Sequence, residues 1–255
     1  MCGWAMLRAF RPLRADRDAF GREMYDCHFG QRRLPEIVER DDGYISAWSQ
    51  SGTYFAAFDD WPECEKRAME FVRGKVLDIG CGAGRHCLYL QDEGLDVLGV
   101  DISPLAIEVC KARGVRHTKV MSMSQLTWRM GIFDTILMLG DNFGLVGSVK
   151  RGTWLLRRFK GMTGSTGRIL AGCNNPYKTT NPVHLEYHEM NRKRGRMPGQ
   201  IRIRIRYQKC MSEWFDNLLL SPEEMSDLVE GTGWSVNTFI EDKGSLYVAI
   251  LDKRD

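Results

Sequence analysis

The sequence predicts an α/β protein built on a mostly parallel sheet with helices on both faces, and three observations carry that expectation. Across residues 74–174 short apolar runs alternate with helical patterns, which calls for parallel strands joined by crossover helices. The segment Val76-Leu77-Asp78-Ile79-Gly80-Cys81-Gly82-Ala83-Gly84 sets glycines at alternate positions where a strand should turn into a helix. A second carboxylate, Asp101, stands 23 residues after Asp78, at the end of the next strand.

Taken in order, residues 75–80 form a short apolar strand and residues 85–93 a helix stopped by Gly94. Residues 96–100 make a second strand, after which Ser103 and Pro104 supply the cap and first-turn proline of a helix running to Gly114. Residues 118–121, 133–139 and 168–172 are read as the third, fourth and fifth strands, with a helix over 153–162. Ser221, Pro222, Glu223 and Glu224 open a capped helix that Gly233 stops. Residues 235–240 and 245–251 are separated by a hairpin-sized connection, so an antiparallel pair should finish one edge of the sheet.

A chain of 255 residues has room for one sizeable core with an elaboration. Residues 74–255 are assigned to the sheet domain, with an inserted β-hairpin cap for substrate at about 175–220, and residues 1–73 to an N-terminal helical lid or extension. Hydrophobic residues at 43% and charged residues at 27% exclude a disordered chain. Eight cysteines without a CxxC pair argue against structural zinc and suit free thiols in a reducing, cytoplasmic setting. The apolar start, residues 1–7, is too short for a secretion signal, and no run approaches the roughly 20 apolar residues of a membrane span. Net charge is only +3, so a polyanionic partner would have to be recognised by local clustering. Arg8, Arg11, Arg14 and Arg17 recur every three residues and suggest a solvated basic helical face, with a transit peptide or nucleic-acid arm as the other readings.

The glycine spacing separates two kinds of nucleotide site. A dinucleotide loop more often shows G-x-G-x-x-G, with pyrophosphate resting on the helix N-terminus. Here the spacing is G-x-G-x-G, and Asp78 stands two residues ahead of it. A carboxylate there would repel a pyrophosphate but would hold an ammonium or a sulfonium. Asp101, at the carboxyl end of a parallel strand, is placed to accept both hydroxyls of a ribose.

With these residues in place, Val76 to Gly84 and Val97-Leu98-Gly99-Val100-Asp101 resemble motifs I and II of the class I S-adenosylmethionine-dependent methyltransferases. The resemblance covers residues 74–255 and implies a Rossmann-like, seven-stranded, mostly parallel sheet of order 3-2-1-4-5-7-6. It implies S-adenosyl-L-methionine as cofactor and S-adenosyl-L-homocysteine as product. Asp78, Gly80, Cys81, Gly82 and Gly84 would border the methionine part, Asp101 the ribose, and Ile102 one adenine face. The acid that many relatives carry after the third strand is missing, which leaves Met121 and Ser122 for the adenine edge. Leu139, Gly140 and Asn142, in the stretch Leu139-Gly140-Asp141-Asn142-Phe143-Gly144, fall where family members line the methyl-transfer site. The prolyl signatures of the N6-adenine, protein-glutamine and 5-cytosine branches are absent there. Asn174-Asn175-Pro176-Tyr177 is superficially similar to the amino-methylating one, but it follows the fifth strand and reads as a turn.

Several further features have both a functional and a plain reading. Residues 200–207, Gln-Ile-Arg-Ile-Arg-Ile-Arg-Tyr, alternate strictly, so a strand would show isoleucines on one face and arginines on the other. Those arginines either meet solvent or read an anionic substrate or nucleic-acid backbone. Residues 213–220 should return as the partner strand. His184 and His188 stand four residues apart with Glu186 between them, an offset that does not match a zinc hydrolase, and no metal is expected. As general-base candidates His184, Glu186 and His188 remain. Tyr25, His28, Tyr44, Trp48, Tyr54, Phe55 and Trp61 enrich the leader in aromatics; residues 54–61 are the expected lid over the cofactor, with Tyr54 touching it, and packing against the sheet is the other reading.

The implied reaction is in-line displacement at the sulfonium onto a small-molecule acceptor, an anionic one if the arginines face it. The alternative acceptor is RNA or protein engaged by the arginine strand, and a reading from another class is a non-catalytic scaffold that keeps the fold.

Overall fold

The structure, a computed structural model, describes residues 12–30, 34–48 and 51–254. Its elements in chain order are α1 (Ala19–His28), β1 (Glu36–Arg40), β2 (Ile45–Trp48), α2 (Ser51–Phe55), α3 (Glu63–Ala68), β3 (Lys75–Ile79), α4 (Arg85–Asp92), β4 (Asp96–Asp101), α5 (Pro104–Ala112) and β5 (His117–Val120). There follow β6 (Phe133–Met138), α6 (Val149–Lys160), β7 (Thr163–Asn174), α7 (Pro182–Lys193), β8 (Gln200–Tyr207), β9 (Cys210–Met211), β10 (Phe215–Leu218), α8 (Pro222–Val229), β11 (Trp234–Glu241) and β12 (Leu246–Lys253).

The larger sheet has seven strands in the order β11-β12-β7-β6-β3-β4-β5, which is the expected 3-2-1-4-5-7-6 arrangement. β3 to β7 run parallel, and β12 is antiparallel to both of its neighbours. Because strand side chains alternate, the sheet builds two apolar layers. Leu77, Ile79, Ile136, Met138, Ile169 and Ala171 meet Leu155, Leu156 and Phe159 of α6 and Met225 and Leu228 of α8. Val76, Leu137, Leu170 and Ile250 face the opposite way, onto Cys64 and Ala68 of α3, Cys87 and Leu90 of α4 and Ile107 of α5. Helix starts follow their caps: Ser103 accepts from the Ala106 amide ahead of Pro104, and Ser221 with Glu224 completes a capping box on α8.

The second sheet is antiparallel, with order β10-β8-β1-β2 and β9 paired to β8. The inserted segment therefore does more than form a hairpin, since it adds α7 and pairs with the leader. Residues 1–73 are correspondingly less helical than their texture suggests. The described part holds α1, α2 and α3, but also β1 and β2; β1, short and charged, is stabilised by its ladder with β8, and β2 pairs with β1 in turn. Arg14 and Arg17 lie ahead of α1 in a turn region and pair with Asp16 and Glu213, so they do not share a helical face; Arg8, Arg11 and residues 1–7 lie outside the described residues.

One face of the second sheet carries Val38, Ile203, Ile205 and Tyr207, against which Ala19 and Phe20 of α1 pack. The other face carries the arginines of β8. α1 also touches α5, where the buried Asp18 carboxylate accepts from Ser103 Oγ at 2.7 Å and caps its own helix through the Gly21 amide at 3.0 Å. This joint brings the leader over the carboxyl ends of the parallel strands. Among the described residues no helix is long and apolar enough to cross a membrane.

Candidate active site

After β3 the chain turns through Gly80, Cys81, Gly82, Ala83 and Gly84 into α4. All three glycines have positive φ, +76°, +53° and +81°, a region that L side chains avoid. The Gly80 and Cys81 amides donate to the Val100 carbonyl at 2.8 and 3.1 Å and tie the turn to the end of β4. A β-carbon at Gly84 would stand 2.7 Å from Val115, whereas at Gly82 the nearest atom would be Met24 Sδ at 3.5 Å, which leaves space above the turn. The Cys81 side chain is buried, with its sulfur 3.9 Å from that of Cys110, so any ligand contact it makes is through its backbone.

Asp101 closes β4. Its Oδ2 accepts from the Gly82 amide at 3.0 Å and its Oδ1 from the Ser103 amide at 2.9 Å. Burial pushes this carboxyl up to about 6, against the pull of those two amides. Ile102 beside it is exposed, the Met121 amide donates to the Asp101 carbonyl at 2.7 Å, and Ser122 caps the short turn Met123–Gln125. The ribose and adenine candidates thus gather at the ends of β4 and β5. From α2, Tyr54 reaches the same region: burial first, then the charges of Glu36, Glu23 and Asp101, push its hydroxyl well above the usual range.

Asp78 is buried beneath the turn, on the α4 side of the sheet. Cys87 Sγ donates to its Oδ2 at 3.3 Å, Oδ1 has no partner among the described residues, and burial raises its pKa. A cradle free of β-carbons, an acid at the neighbouring strand end and an orphaned buried carboxylate oxygen together fit a nucleoside ligand that carries positive rather than phosphate charge.

The end of β6 forms the adjoining wall. Leu139 is buried, while Gly140 and Asp141 both adopt left-handed conformations, at φ +66° and +67°. For the non-glycine Asp141 this is strain of the kind that accumulates at functional sites. Its carboxylate accepts from the Asn174 amide at 3.0 Å and from Asn217 Nδ2 at 3.3 Å, and burial pushes it up to about 6. Asn142 Nδ2 donates to the carbonyls of Ile79 at 3.2 Å and Gly80 at 2.8 Å, joining this wall to the glycine turn. A β-carbon at Gly80 would come within 2.7 Å of that nitrogen. Gly80→Ala should therefore cost about 1–2 kcal/mol in backbone strain and push Asn142 aside, seen as a lower urea midpoint together with weaker S-adenosylhomocysteine binding.

The general-base candidates lie elsewhere. They sit on α7, as the helical reading requires, but His184 and His188 turn toward the leader and their own helix. Arg40 Nη1 lies 2.9 Å from His184 Nδ1, and a guanidinium can only donate, so Nδ1 is the acceptor and Nε2 carries the proton. That leaves His184 no free lone pair with which to take a proton. Burial and the charge of Arg40 both lower its pKa. His188 is buried with its ring near Tyr177, its pKa lowered by burial and then by Arg192, while Glu186 is exposed. Among the described residues no hydrogen bond or ring contact joins these three to the glycine turn or the end of β6. Nor is any group of three or more His, Cys, Asp or Glu among them arranged to hold a metal. Asn175 caps the short turn Pro176–Lys178, so residues 174–177 serve as a turn.

Sequence reasoning passed over Glu65. It is fully buried on α3, its Oε2 lies 2.6 Å from Arg85 and 3.4 Å from His86, and its Oε1 accepts from the Gly140 amide at 2.9 Å. It fastens the leader to the start of α4 and the end of β6. Nothing in Glu63-Cys64-Glu65-Lys66 distinguishes it from a solvated acid; only the Arg85 that follows the glycine turn hints at a partner.

Comparison with known proteins agrees with this geometry. Residues 76–159 match the family model described as a methyltransferase domain. A solved S-adenosylmethionine-dependent methyltransferase from Bacteroides fragilis, in complex with S-adenosyl-L-homocysteine, superposes with a TM-score of 0.81 at 26% identity, covering 96% of this chain and 98% of that one. A glycine/sarcosine N-methyltransferase from Parasynechococcus marenigrum is 29% identical over 130 residues, 45% of each protein. A 2-heptyl-1-hydroxyquinolin-4(1H)-one methyltransferase from Mycobacteroides abscessus is 38% identical over 72 residues, 26% of this chain and 32% of that protein. The chain thus spans less than half the length of these two curated relatives. Residues 76–159 thus carry a methyltransferase domain, and the fold is that of S-adenosylmethionine-dependent methyltransferases.

Proposed function

We propose that this chain moves the methyl group of S-adenosylmethionine onto a small-molecule acceptor held between the end of β6 and the apolar face of the second sheet. The observation that carries the reading is the joint between the glycine turn and Asp101, made by the Gly82 amide, at the carboxyl ends of parallel strands. When bound, the cofactor supplies an activated methyl with its own leaving group. The protein's part is alignment and exclusion of water. The turn sets the donor's position, Asp101 its ribose, and Asn142 couples the turn to the methyl-transfer wall. Orientation of this kind is capable of supplying about 7–11 kcal/mol.

Calorimetry should show S-adenosylhomocysteine binding in preference to a nicotinamide dinucleotide, and isotopically labelled donor should mark a low-molecular-weight product in a cell extract. Preference for the dinucleotide, or label found only in macromolecules, would reject the reading.

The arginine strand speaks against RNA or protein as the acceptor. Its side chains point away from the α1 side of the sheet and are met by acids: Arg204 forms a bidentate pair with Glu39 at 2.8 Å and stacks on Trp214, and Arg202 reaches Asp216 at 3.3 Å. Surface pairs of this kind are screened by solvent and contribute little. Replacing Arg202, Arg204 and Arg206 together by alanine is expected to leave cofactor affinity and label transfer within about threefold of wild type, with little dependence on salt. A steep loss of transfer to RNA would restore the macromolecular acceptor.

A further inference from the structure

The same second sheet that turns paired arginines outward turns unpaired acids inward. Glu36 opens β1 two residues before Val38 and so shares its face, and it is fully buried. Glu23 of α1 is 2% exposed and faces it closely enough for each carboxyl to perturb the other. Among the described residues none of their four oxygens has a hydrogen-bond partner outside the pair, and no Lys, Arg or His pairs with either.

Two apposed carboxylates without a cation are a costly arrangement in a protein interior. Either one of them stays protonated or something positive is brought to them. Burial and the facing Glu23 push Glu36 up to about 9. The other charges nearby are already committed: Arg22 pairs with Asp26 at 2.8 Å, and Gln208 donates to Asp26 at 2.7 Å. Arg40, farther along the same face of β1, is held by Asp42 and sandwiched by Tyr44 and Tyr187. The pair also has a link to the cofactor side, because Tyr54 lies within electrostatic reach of Glu23, Glu36 and Asp101 together.

We propose that Glu23 and Glu36 form the subsite for a cationic nitrogen of the methyl acceptor, so that the acceptor is a small amine or guanidine rather than an anion. This rests on the methyltransferase reading above and adds to it the chemical class of the acceptor. The glutamates supply the counter-charge that the bound cation needs once it leaves water, and the cation relieves the repulsion between them.

The test divides a small-molecule extract on a cation-exchange resin and offers each fraction to the full-length protein with isotopically labelled donor. Label should enter the retained fraction at least about tenfold faster than the flow-through, the discrimination expected when a buried charge must find its partner. Label entering only the flow-through, or both fractions equally, overturns the proposal. So does label entering neither fraction while calorimetry shows S-adenosylhomocysteine bound. Failure of S-adenosylhomocysteine to bind would instead reject the methyltransferase reading. In the Glu23→Gln, Glu36→Gln double variant, transfer into the retained fraction should fall by about thirtyfold while S-adenosylhomocysteine affinity stays within about twofold. Transfer at the wild-type rate in that variant overturns the proposal even if the fractionation favours it.

Discussion

Asp101→Ala is expected to weaken S-adenosylhomocysteine binding by about two to four orders of magnitude, measured by calorimetry. Two hydrogen bonds from ribose hydroxyls to a carboxylate are lost, each worth about 1.5–3 kcal/mol. The substitution also removes the acceptor that holds the Gly82 amide at 3.0 Å and the Ser103 amide at 2.9 Å, so the turn and the start of α5 both loosen. A pH series separates the charge from the shape. Because burial holds Asp101 at about 6, wild-type affinity should be level near neutrality and fall as the pH drops through that value, where protonation removes an acceptor. Asp101→Asn should bind weakly with no such fall. Unchanged binding in Asp101→Ala would remove the ribose assignment.

Glu65→Ala should destabilise the fold by about 3–5 kcal/mol, the range for removing one partner of a buried ion pair. Its loss strands Arg85, His86 and the Gly140 amide at once. Although burial alone would raise the Glu65 carboxyl, hydrogen bonding and charge from His86, the charge of Arg85 and the Gly140 amide bring it below the usual range. A lowered acid stabilises the fold above its unfolded pKa, and that contribution is lost as pH falls through the lower folded value. The wild type should therefore lose stability on acidification more steeply than Glu65→Ala, as read from urea midpoints. Equal midpoints at neutral pH would show that the pair does not hold the leader to the sheet.

What could be read in advance follows from which interactions are local. Gly80, Gly82, Gly84 and Asp101 were legible because a left-handed turn and an acid at a strand end require particular residue types at fixed spacing. That the central strands run parallel followed from apolar runs alternating with helical patterns, whereas their order came only from the resemblance to the methyltransferase family. β1 escaped notice because Glu36-Ile37-Val38-Glu39-Arg40 is short and charged, and its extended form depends on a partner far along the chain. β7 was read short because Gly164 and Gly167 interrupt its first half. The spacing of His184 and His188 located a helix correctly, yet what that helix meets is decided by Arg40, which periodicity does not reveal. Glu23, Glu36 and Glu65 resemble surface acids until the tertiary structure buries them.

Ile37 pairs with Arg206 and Arg40 with Ile203, so one ladder joins two segments far apart along the chain. During synthesis β1 and β2 emerge well before β8 and must wait for it with an open edge prone to mispairing. The β1–β8 pairing is therefore a late event that closes a long loop, whereas the glycine turn and its neighbouring strands are settled by shorter-range contacts. In pulse-labelled refolding, amides of β3 and β4 should gain protection from exchange before those of β1 and β8.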